Sequence, residues 1–271
     1  MLSLARLAAL LPLLASECAA QSFTVSNGQI FTPGFAVVNA PQPGTPLGGE
    51  TLHISLDVTA NGKLNLPPYM DDSPSQIYNI SVFLYSYATG RNFTVALPGE
   101  DDDNGALGDI MAQEDGSTVK HIDWTWPNCL VGDGQPSDAD SDRGVYNISI
   151  RQNFRLNGED HYTIFDLPIA VTNSIDEDDE RPDCDGLDND MLSPEDIDAA
   201  AANDVGVLFA PGDSTEVEAT FPDDDDDIDN GLGGSRPEAG PGDGLGGAGS
   251  LDWRGGVQWA CLAALAAALL L

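Results

Sequence analysis

Two runs of alternating apolar and polar residues flank the pair Asn157-Gly158, and this arrangement constrains the fold more than any other feature. The runs cover residues 145–156 and 161–171. An Asn-Gly pair readily takes positive φ at both positions of a two-residue turn, so it predicts a β-hairpin. An apolar residue at every second position predicts that each strand buries one face.

The same alternation recurs through the residues that precede this hairpin. It is clearest at 51–58, where Leu52, Ile54, Leu56 and Val58 share one face. Further strands are predicted at 23–26, 35–39, 77–87, 93–97 and 119–126, with turns at Asn27-Gly28, Asn61-Gly62 and Thr89-Gly90. Seven or eight short strands over residues 21–175 predict an all-β fold, an antiparallel immunoglobulin-like β-sandwich. A closed barrel is the main alternative.

The first twenty residues have the layout of a secretory signal peptide. Arg6 precedes an apolar run at 7–14, and small residues follow before Gln21. This order predicts a signal peptide at 1–20, cleaved between Ala20 and Gln21. A buried N-terminal helix or a signal anchor is the alternative, but the apolar run is too short to cross about 30 Å of hydrocarbon.

The last residues have the layout of a glycosylphosphatidylinositol (GPI) attachment signal. Small residues at 246–250 are followed by a polar spacer at 251–256 and an apolar tail at 257–271. This order predicts attachment at Gly247 and removal of 248–271 as a propeptide. The alternative is a tail-anchored helix, which normally needs about 20 apolar residues and flanking basic residues. We therefore expect an extracellular protein, held on the outer face of the plasma membrane by a lipid, in the cell wall, or both.

The chain is strongly acidic, with a formal net charge of -35. Residues 21–175 hold six Lys or Arg against nineteen Asp or Glu, and residues 176–256 hold three against twenty-five. A chain of this charge repels nucleic acid and anionic lipid headgroups, which excludes both as partners. Basic surfaces and divalent cations remain, including weak cation binding by the acidic tail.

Beyond Ile175 the composition changes to acidic residues, glycine and proline. Low hydrophobicity with high net charge cannot offset the entropy of ordering, so residues 176–247 are predicted to form a disordered stalk. Ser193 as a cap and Pro194 at the first helical position predict one short helix near 194–203. The acidic stretch 183–190 suggests calcium, but no frame supplies the ligand pattern of an EF-hand loop, which favours a solvated linker.

Four cysteines are present, and two of them lie in the segments expected to be removed. Cys129 and Cys184 remain, and in a secreted protein a disulfide between them is the expected state. Two free thiols are the alternative. The chain has no Cys-x-x-Cys spacing, so a structural zinc site has no support.

Three N-glycosylation sequons begin at Asn79, Asn92 and Asn147. Each lies in or beside a predicted strand. In the strands around Asn79 and Asn147 the asparagine alternates with the aliphatic residues, so a glycan there would point to solvent.

Few residues suggest a chemical activity. Trp124 and Trp126 share one strand face and form a candidate sugar platform, although alternating tryptophans in a sandwich more often pack in the core. His53, His121 and His161 lie in separate predicted strands, where exposed sheet positions explain them. The chain lacks the nucleophile elbow, zinc-protease, P-loop and dinucleotide motifs, so we predict no catalytic residue, metal site or cofactor.

Three stretches resemble GPI-anchored surface proteins of filamentous fungi: PGTPLGGETLHISLDV, DWTWPNCLVGDG and RGVYNISIRQNFRLNGEDHYTIFDLPI. The opening and closing strands are also similar to the immunoglobulin-like domain of the Kre9/Knh1 cell-wall family, although an acidic stalk stands where those proteins have Ser and Thr. The resemblance implies a structural, adhesive or polysaccharide-contacting role at the fungal cell wall, with polysaccharide or a surface protein as partner. The alternative is an enzyme that acts on wall glycans through unidentified carboxylates.

Overall fold

A computed structural model describes residues 23–70, 72–96, 108–113, 116–136, 141–196 and 205–218. Within these residues the chain is mostly β, with ten strands and two complete one-turn helices. The strands are β1 Thr24–Ser26, β2 Gln29–Phe31, β3 Val37–Ala40, β4 Pro46–Leu47, β5 Thr51–Asp57, β6 Gln76–Ser86, β7 Arg91–Ala96, β8 Val119–Thr125, β9 Gly144–Leu156 and β10 Glu159–Val171. The helices are α1 Gly108–Met111 and α2 Cys184–Leu187, and a 3-10 turn spans Asn128–Leu130.

The strands form two five-stranded sheets. Sheet A has the order β1-β2-β3-β5-β8, and sheet B has the order β4-β10-β9-β6-β7. Two separate sheets exclude the single closed barrel. All eight predicted strands are present within a residue or two, and the two short strands β2 and β4 were missed. The antiparallel prediction is wrong for one pair, because β4 runs parallel to β10.

The hairpin predicted around Asn157-Gly158 is confirmed. Leu156 pairs with Glu159, and the two turn residues have φ of 51° and 87°. Asn27-Gly28 closes a second hairpin of the same kind, with φ of 52° and 78°. Asparagine and glycine tolerate this left-handed region better than other residues, so the sequence determines where the chain reverses.

Both sheets bury their inward residues in one hydrophobic core. On β5, Leu52, Ile54 and Leu56 are buried as predicted, and Ile80 and Leu84 of β6 belong to the same cluster. The polar residues of β5 differ in exposure: His53 is exposed, whereas Asp57 is buried. Asp57 accepts hydrogen bonds from the backbone N–H groups of the loop that follows it, which compensates its loss of water.

A buried polar network joins the two sheets at Gln152 of β9. Its Nε2 donates to Oγ1 of Thr32 over 2.9 Å, and its Oε1 accepts the backbone N–H of Ala36 over 2.8 Å. Thr32 in turn donates to the carbonyl oxygen of Ala36. Gly34 lies against this side chain, and a Cβ there would stand 2.4 Å from Oε1 of Gln152. The side chain of Gln152 therefore fixes the loop between β2 and β3 to sheet B, and it occupies the space that a Cβ on Gly34 would need.

The chain after Ile175 does not leave the domain, which corrects the expected boundary. Ile175 exchanges backbone hydrogen bonds with Gly132, and Cys184 is buried. Ser193 accepts the backbone N–H of Asp196 and caps residues 194–196, which are helical; the rest of the helix predicted near 194–203 lies outside the described residues.

A second segment, residues 205–218, also lies on the domain. Leu208 N–H donates to the carbonyl oxygen of Thr32, and the Phe209 ring stacks on Phe35 at 5.2 Å. Glu218 N–H reaches the side chain of Asn157 in the β9–β10 turn over 2.8 Å. The prediction of a coil from Asp176 therefore fails for both segments, because buried apolar groups and specific hydrogen bonds provide contacts that average composition does not reveal.

Candidate functional site

Arg91 of β7 holds the acidic segment that follows Asp176 against sheet B. Its guanidinium makes two hydrogen bonds to Asp142, of 2.9 and 3.1 Å, and one of 2.9 Å to Asp188. Asp185 lies 3.4 Å away at the exposed margin. The hydrogen bonds that Arg91 donates to Asp142, and next those to Asp188, raise the pKa of Arg91 above its ordinary value. The positive charge of Arg91 thus offsets several carboxylates. Two of them belong to the stretch 183–190, for which calcium was considered.

The predicted disulfide between Cys129 and Cys184 is confirmed, and it lies beside this Arg91 cluster. Asn128 reinforces the link, because its backbone N–H donates to the carbonyl oxygen of Pro182 and its Oδ1 accepts the N–H of Cys184. A covalent bond and an ionic cluster therefore hold the same acidic segment. We call them together the acidic clamp, made of the disulfide, Arg91, Asp142 and Asp188.

The clamped segment covers the free edge of β7. Asp188 bridges to Phe93 in the antiparallel sense, and its Oδ1 accepts the backbone N–H of Asn92 over 2.8 Å. Asn189 N–H donates to the carbonyl oxygen of Asn92. An uncovered edge strand presents unpaired backbone groups to other chains, so the acidic residues satisfy and shield this edge.

The cover over β7 buries one of the three predicted glycosylation sites. Asn92 is only 7% exposed, and its Nδ2 donates to the carbonyl oxygen of Asp190 over 3.0 Å. A glycan on Nδ2 is incompatible with this packing, which corrects the prediction for Asn92. Asn79 of β6 and Asn147 of β9 are partly exposed on the outer face of sheet B.

The candidate sugar platform is not a surface. Trp126 is fully buried, and its indole N–H donates to the carbonyl oxygen of Gly48. Trp124 is half-buried between Trp126 and Phe93, with ring centroids 5.9 and 5.8 Å away. Both indoles face the core, so the platform interpretation is wrong and the packing alternative is confirmed.

Arg143 is a buried cation that the sequence reasoning missed. Its guanidinium donates to the backbone carbonyl oxygens of Leu130 and Asn173, the latter over 2.8 Å. Burial lowers its pKa from the ordinary value. Because the guanidinium partners are carbonyl groups, Arg143 fixes the loop behind the disulfide to the end of β10.

Two of the three histidines come together on the outer face of sheet A. Nδ1 of His53 on β5 lies 2.7 Å from Oδ1 of Asp123 on β8, and the His53 and His121 rings are 5.3 Å apart. His161 lies on β10 of the other sheet, against Phe154. His53, His121, Asp123 and Thr125 are exposed, and we call these four residues the polar face.

The described residues contain no group of three or more His, Cys, Asp and Glu side chains already arranged to hold a metal ion. Across the same residues, no helix has the length and hydropathy needed to cross a membrane. Several predicted features lie outside the described residues: the signal peptide at 1–20 with its cleavage site at Ala20 and Gln21, the attachment site Gly247 and the propeptide at 248–271.

No family model, curated protein or solved structure matches this chain.

Proposed function

We propose that the two sheets form an immunoglobulin-like sandwich. In that fold one sheet contains strands A, B and E, and the other contains C, F and G with C′ beside C in the variable type. Strands β3, β5 and β8 take the places of A, B and E, and β6, β9, β10 and β7 take the places of C, F, G and C′. The hairpin of β1 and β2 and the disulfide position are departures from that pattern.

The function that these features support best is a non-catalytic, GPI-anchored cell-surface glycoprotein with a structural, adhesive or polysaccharide-contacting role at the fungal cell wall. The sequence supports it through the predicted signal peptide, the predicted attachment signal and the resemblance to fungal surface proteins. The acidic clamp carries the proposal, because it fastens the chain beyond β10 to the domain by a disulfide and by Arg91. A domain braced in this way suits a protein that is displayed outside the cell and must keep its shape there.

The direction in which the chain leaves the domain supports an orientation. Glu218, the last described residue, is hydrogen-bonded to Asn157 at the β9–β10 turn. The acidic clamp lies at the other end, because Asp142 and Arg91 are near the start of β9 and the start of β7. If the stalk continues from Glu218 to an anchor at Gly247, the β9–β10 turn faces the membrane and the acidic clamp faces outward.

The positions of the sequons indicate which surface makes contact. Asn79 and Asn147 both lie on the outer face of sheet B, so glycans on them cover that face. The polar face on sheet A has no sequon and keeps His53, His121, Asp123 and Thr125 exposed. We therefore assign partner contact to the polar face, with wall polysaccharide or a surface protein as the partner.

A glycan placed on the polar face tests this assignment. Asp123→Asn creates the sequon Asn-Trp-Thr with Trp124 and Thr125, and so directs a sugar to the middle of that face. The matched control is Asp123→Asn with Thr125→Ala, which makes the same substitution without a sequon. The secreted ectodomain is mixed with insoluble β-glucan, chitin and mannan and with intact cell walls, and bound protein and released sugar are both measured.

We expect full wall binding by the wild type and no released sugar. The control should bind more weakly, because it changes two residues of the polar face, and the glycosylated variant should lose binding altogether. Equal binding by both variants would contradict the assignment to the polar face. Sugar release by the wild type would overturn the non-catalytic proposal and favour an enzyme acting on wall glycans.

The anchor is tested separately on intact cells. Phosphatidylinositol-specific phospholipase C should release the protein into the medium, and Gly247→Trp, with a bulky residue at the attachment site, should reduce its display. Gly242→Trp is the matched control upstream of the signal. Display that resists the enzyme, also after glucanase digestion of the wall, would contradict lipid anchoring.

A further inference from the structure

The strongest unassigned constellation in the described residues is the pair of imidazoles on sheet A. Strands β5 and β8 pair antiparallel, with His53 opposite Asp123 and Ser55 opposite His121. His53 and His121 are therefore diagonal neighbours on one face. Their rings are nearly parallel, with an interplanar angle of 22° and centroids 5.3 Å apart.

Asp123 selects which nitrogen of His53 is available. Its Oδ1 lies 2.7 Å from Nδ1 of His53, so in the neutral ring Nδ1 carries the proton and donates it to the carboxylate. This leaves the lone pair of Nε2 directed away from the carboxylate. A carboxylate that orients a ligand histidine through its other nitrogen is the usual support of a metal-bound imidazole.

The spacing of the rings fits a shared ion. Two imidazoles bound to one zinc ion at about 2.0–2.1 Å have centroids separated by about 5 Å. The two rings already approach that separation, and the seven-residue register between β5 and β8 fixes their Cα positions. Imidazole lone pairs lie in the ring plane, so two stacked rings meet at one ion only after one of them turns. His121 is the ring that would turn, because it is exposed and Asp123 holds His53. The side chain of His53 is 49% exposed, so water has access to the remaining coordination positions.

We propose that His53 and His121 form a two-imidazole chelate for a late first-row divalent ion, with Asp123 as the positioning residue for His53. Imidazole suits Cu²⁺, Ni²⁺ and Zn²⁺, and among these Cu²⁺ binds most tightly at a given set of ligands. Mg²⁺ and Ca²⁺ prefer oxygen ligands and do not compete for two nitrogens. The inference is independent of the proposed wall function.

The test is titration of the secreted ectodomain, residues 21–247, with Cu²⁺ and then Zn²⁺ in the presence of excess Mg²⁺ and Ca²⁺, which occupy the carboxylate clusters. Calorimetry gives stoichiometry and affinity, and electron paramagnetic resonance of the Cu²⁺ sample counts coordinated nitrogens. The variants are His53→Gln, His121→Gln and Asp123→Ala. Alanine is used at 123 because asparagine there would create a sequon. His161→Gln is the matched control on the other sheet.

We expect one tightly bound ion per chain with coupling to two imidazole nitrogens. His53→Gln and His121→Gln should each weaken binding by at least about tenfold, and Asp123→Ala by about tenfold, in the range for loss of a carboxylate that supports a ligand histidine. His161→Gln should bind like the wild type.

Three results would overturn the proposal. One is wild-type affinity in either His53→Gln or His121→Gln, since a chelate needs both rings. Another is coordination by oxygen alone, which would assign the ion to the acidic residues. The third is equal weakening by His161→Gln. Circular dichroism and thermal melting of each variant verify that the exposed substitutions leave the fold intact.

Discussion

Asn92 and Asp190 are joined by a hydrogen bond of 3.0 Å from the side-chain Nδ2 of Asn92 to the main-chain carbonyl oxygen of Asp190. Nδ2 is the atom that carries the sugar in an N-linked glycan. The backbone N–H and C=O groups of Asn92 are also occupied, by Asp188 and Asn189. The acidic segment therefore occupies the side-chain nitrogen and both backbone groups of Asn92, and only Oδ1 has no hydrogen-bond partner.

We predict that the secreted protein carries glycans on Asn79 and Asn147 and none on Asn92. Peptide-N-glycosidase F in ¹⁸O water converts each occupied asparagine to labelled aspartate, and mass spectrometry then reports the three sites in one sample. Asn79→Gln and Asn147→Gln should each remove one glycan mass from the intact protein. A labelled aspartate at position 92 would mean that the acidic segment does not cover β7.

The disulfide should contribute strongly to stability, because it closes a loop with a sequence separation of 55 residues. The chain-entropy relation gives about 4 kcal/mol for a loop of this length. Cys129→Ser with Cys184→Ser should lower the free energy of unfolding in urea by about that amount. Wild-type protein unfolded in the presence of a reductant is the matched control and should agree with the double variant. A difference from the oxidised wild type below about 1 kcal/mol would show that the acidic clamp depends chiefly on Arg91.

The segment at 205–218 should detach when its aromatic anchor is removed. Phe209 is buried, stacks on Phe35 and lies under the ammonium group of Lys63. Phe209→Ala removes most of that buried area, so we expect the free energy of unfolding to fall by about 3 kcal/mol and residues 205–218 to be cleaved rapidly by protease. Glu216→Ala, with an exposed side chain in the same segment, should resist protease like the wild type. Equal digestion of both variants would contradict a docked segment.

The sequence predicts the strands well because alternation and Asn-Gly turns are local signals. All eight predicted strands are present. The three-residue strand β1 was predicted because the alternation extends back to Phe23, whereas β2 and β4, with three and two residues, have no such extension. The parallel pairing of β4 with β10 was also missed, because it joins Pro46 and Leu47 to the far end of the chain.

The sequence predicts the candidate functional surfaces poorly, because each combines residues that are distant along the chain. Arg91 meets Asp188 across 97 positions, and His53 meets Asp123 across 70. Average composition does not reveal that a disulfide, Arg91 and the buried Phe209 hold two parts of the acidic chain against the domain. The cysteine pair was the sequence signal that could have revealed the first of these segments.

Substitutions at Gly34 and Gln152 should have strongly non-additive effects on the free energy of unfolding. A Cβ at position 34 would overlap Oε1 of Gln152 at 2.4 Å, so Gly34→Ala displaces the side chain that satisfies Ala36 N–H and Thr32. We expect Gly34→Ala to lower the free energy of unfolding by about 2–3 kcal/mol, and Gln152→Ala to lower it by a similar amount. The double variant should lose much less than the sum, because the overlap disappears with the Gln152 side chain. Additive losses would show that the two residues do not share one space.

The buried tyrosines Tyr85 and Tyr146 and the partly buried Tyr69 make the fold less stable at alkaline pH. Burial raises the pKa of Tyr69 to about 12, and burial also raises the pKa of Tyr146 and of Tyr85, which in addition donates a hydrogen bond to Asp166. A phenol whose pKa is higher in the folded state than the unfolded value of about 10 stabilises the fold fully below pH 10. That contribution is lost as the pH rises from about 10 through the folded pKa.

We therefore expect these three phenols to ionise only when the protein unfolds in alkali, in the same step in which tertiary structure is lost. Absorbance at 295 nm and near-ultraviolet circular dichroism, recorded from pH 8 to 13, should change together for that step. In 8 M urea the same phenols should titrate near pH 10. Tyr69→Phe should move the alkaline unfolding midpoint upward because one ionising group is removed, whereas Tyr87→Phe, which alters a ring that is 46% exposed, should move it less. Ionisation of all tyrosines near pH 10 with the tertiary signal intact would contradict their burial.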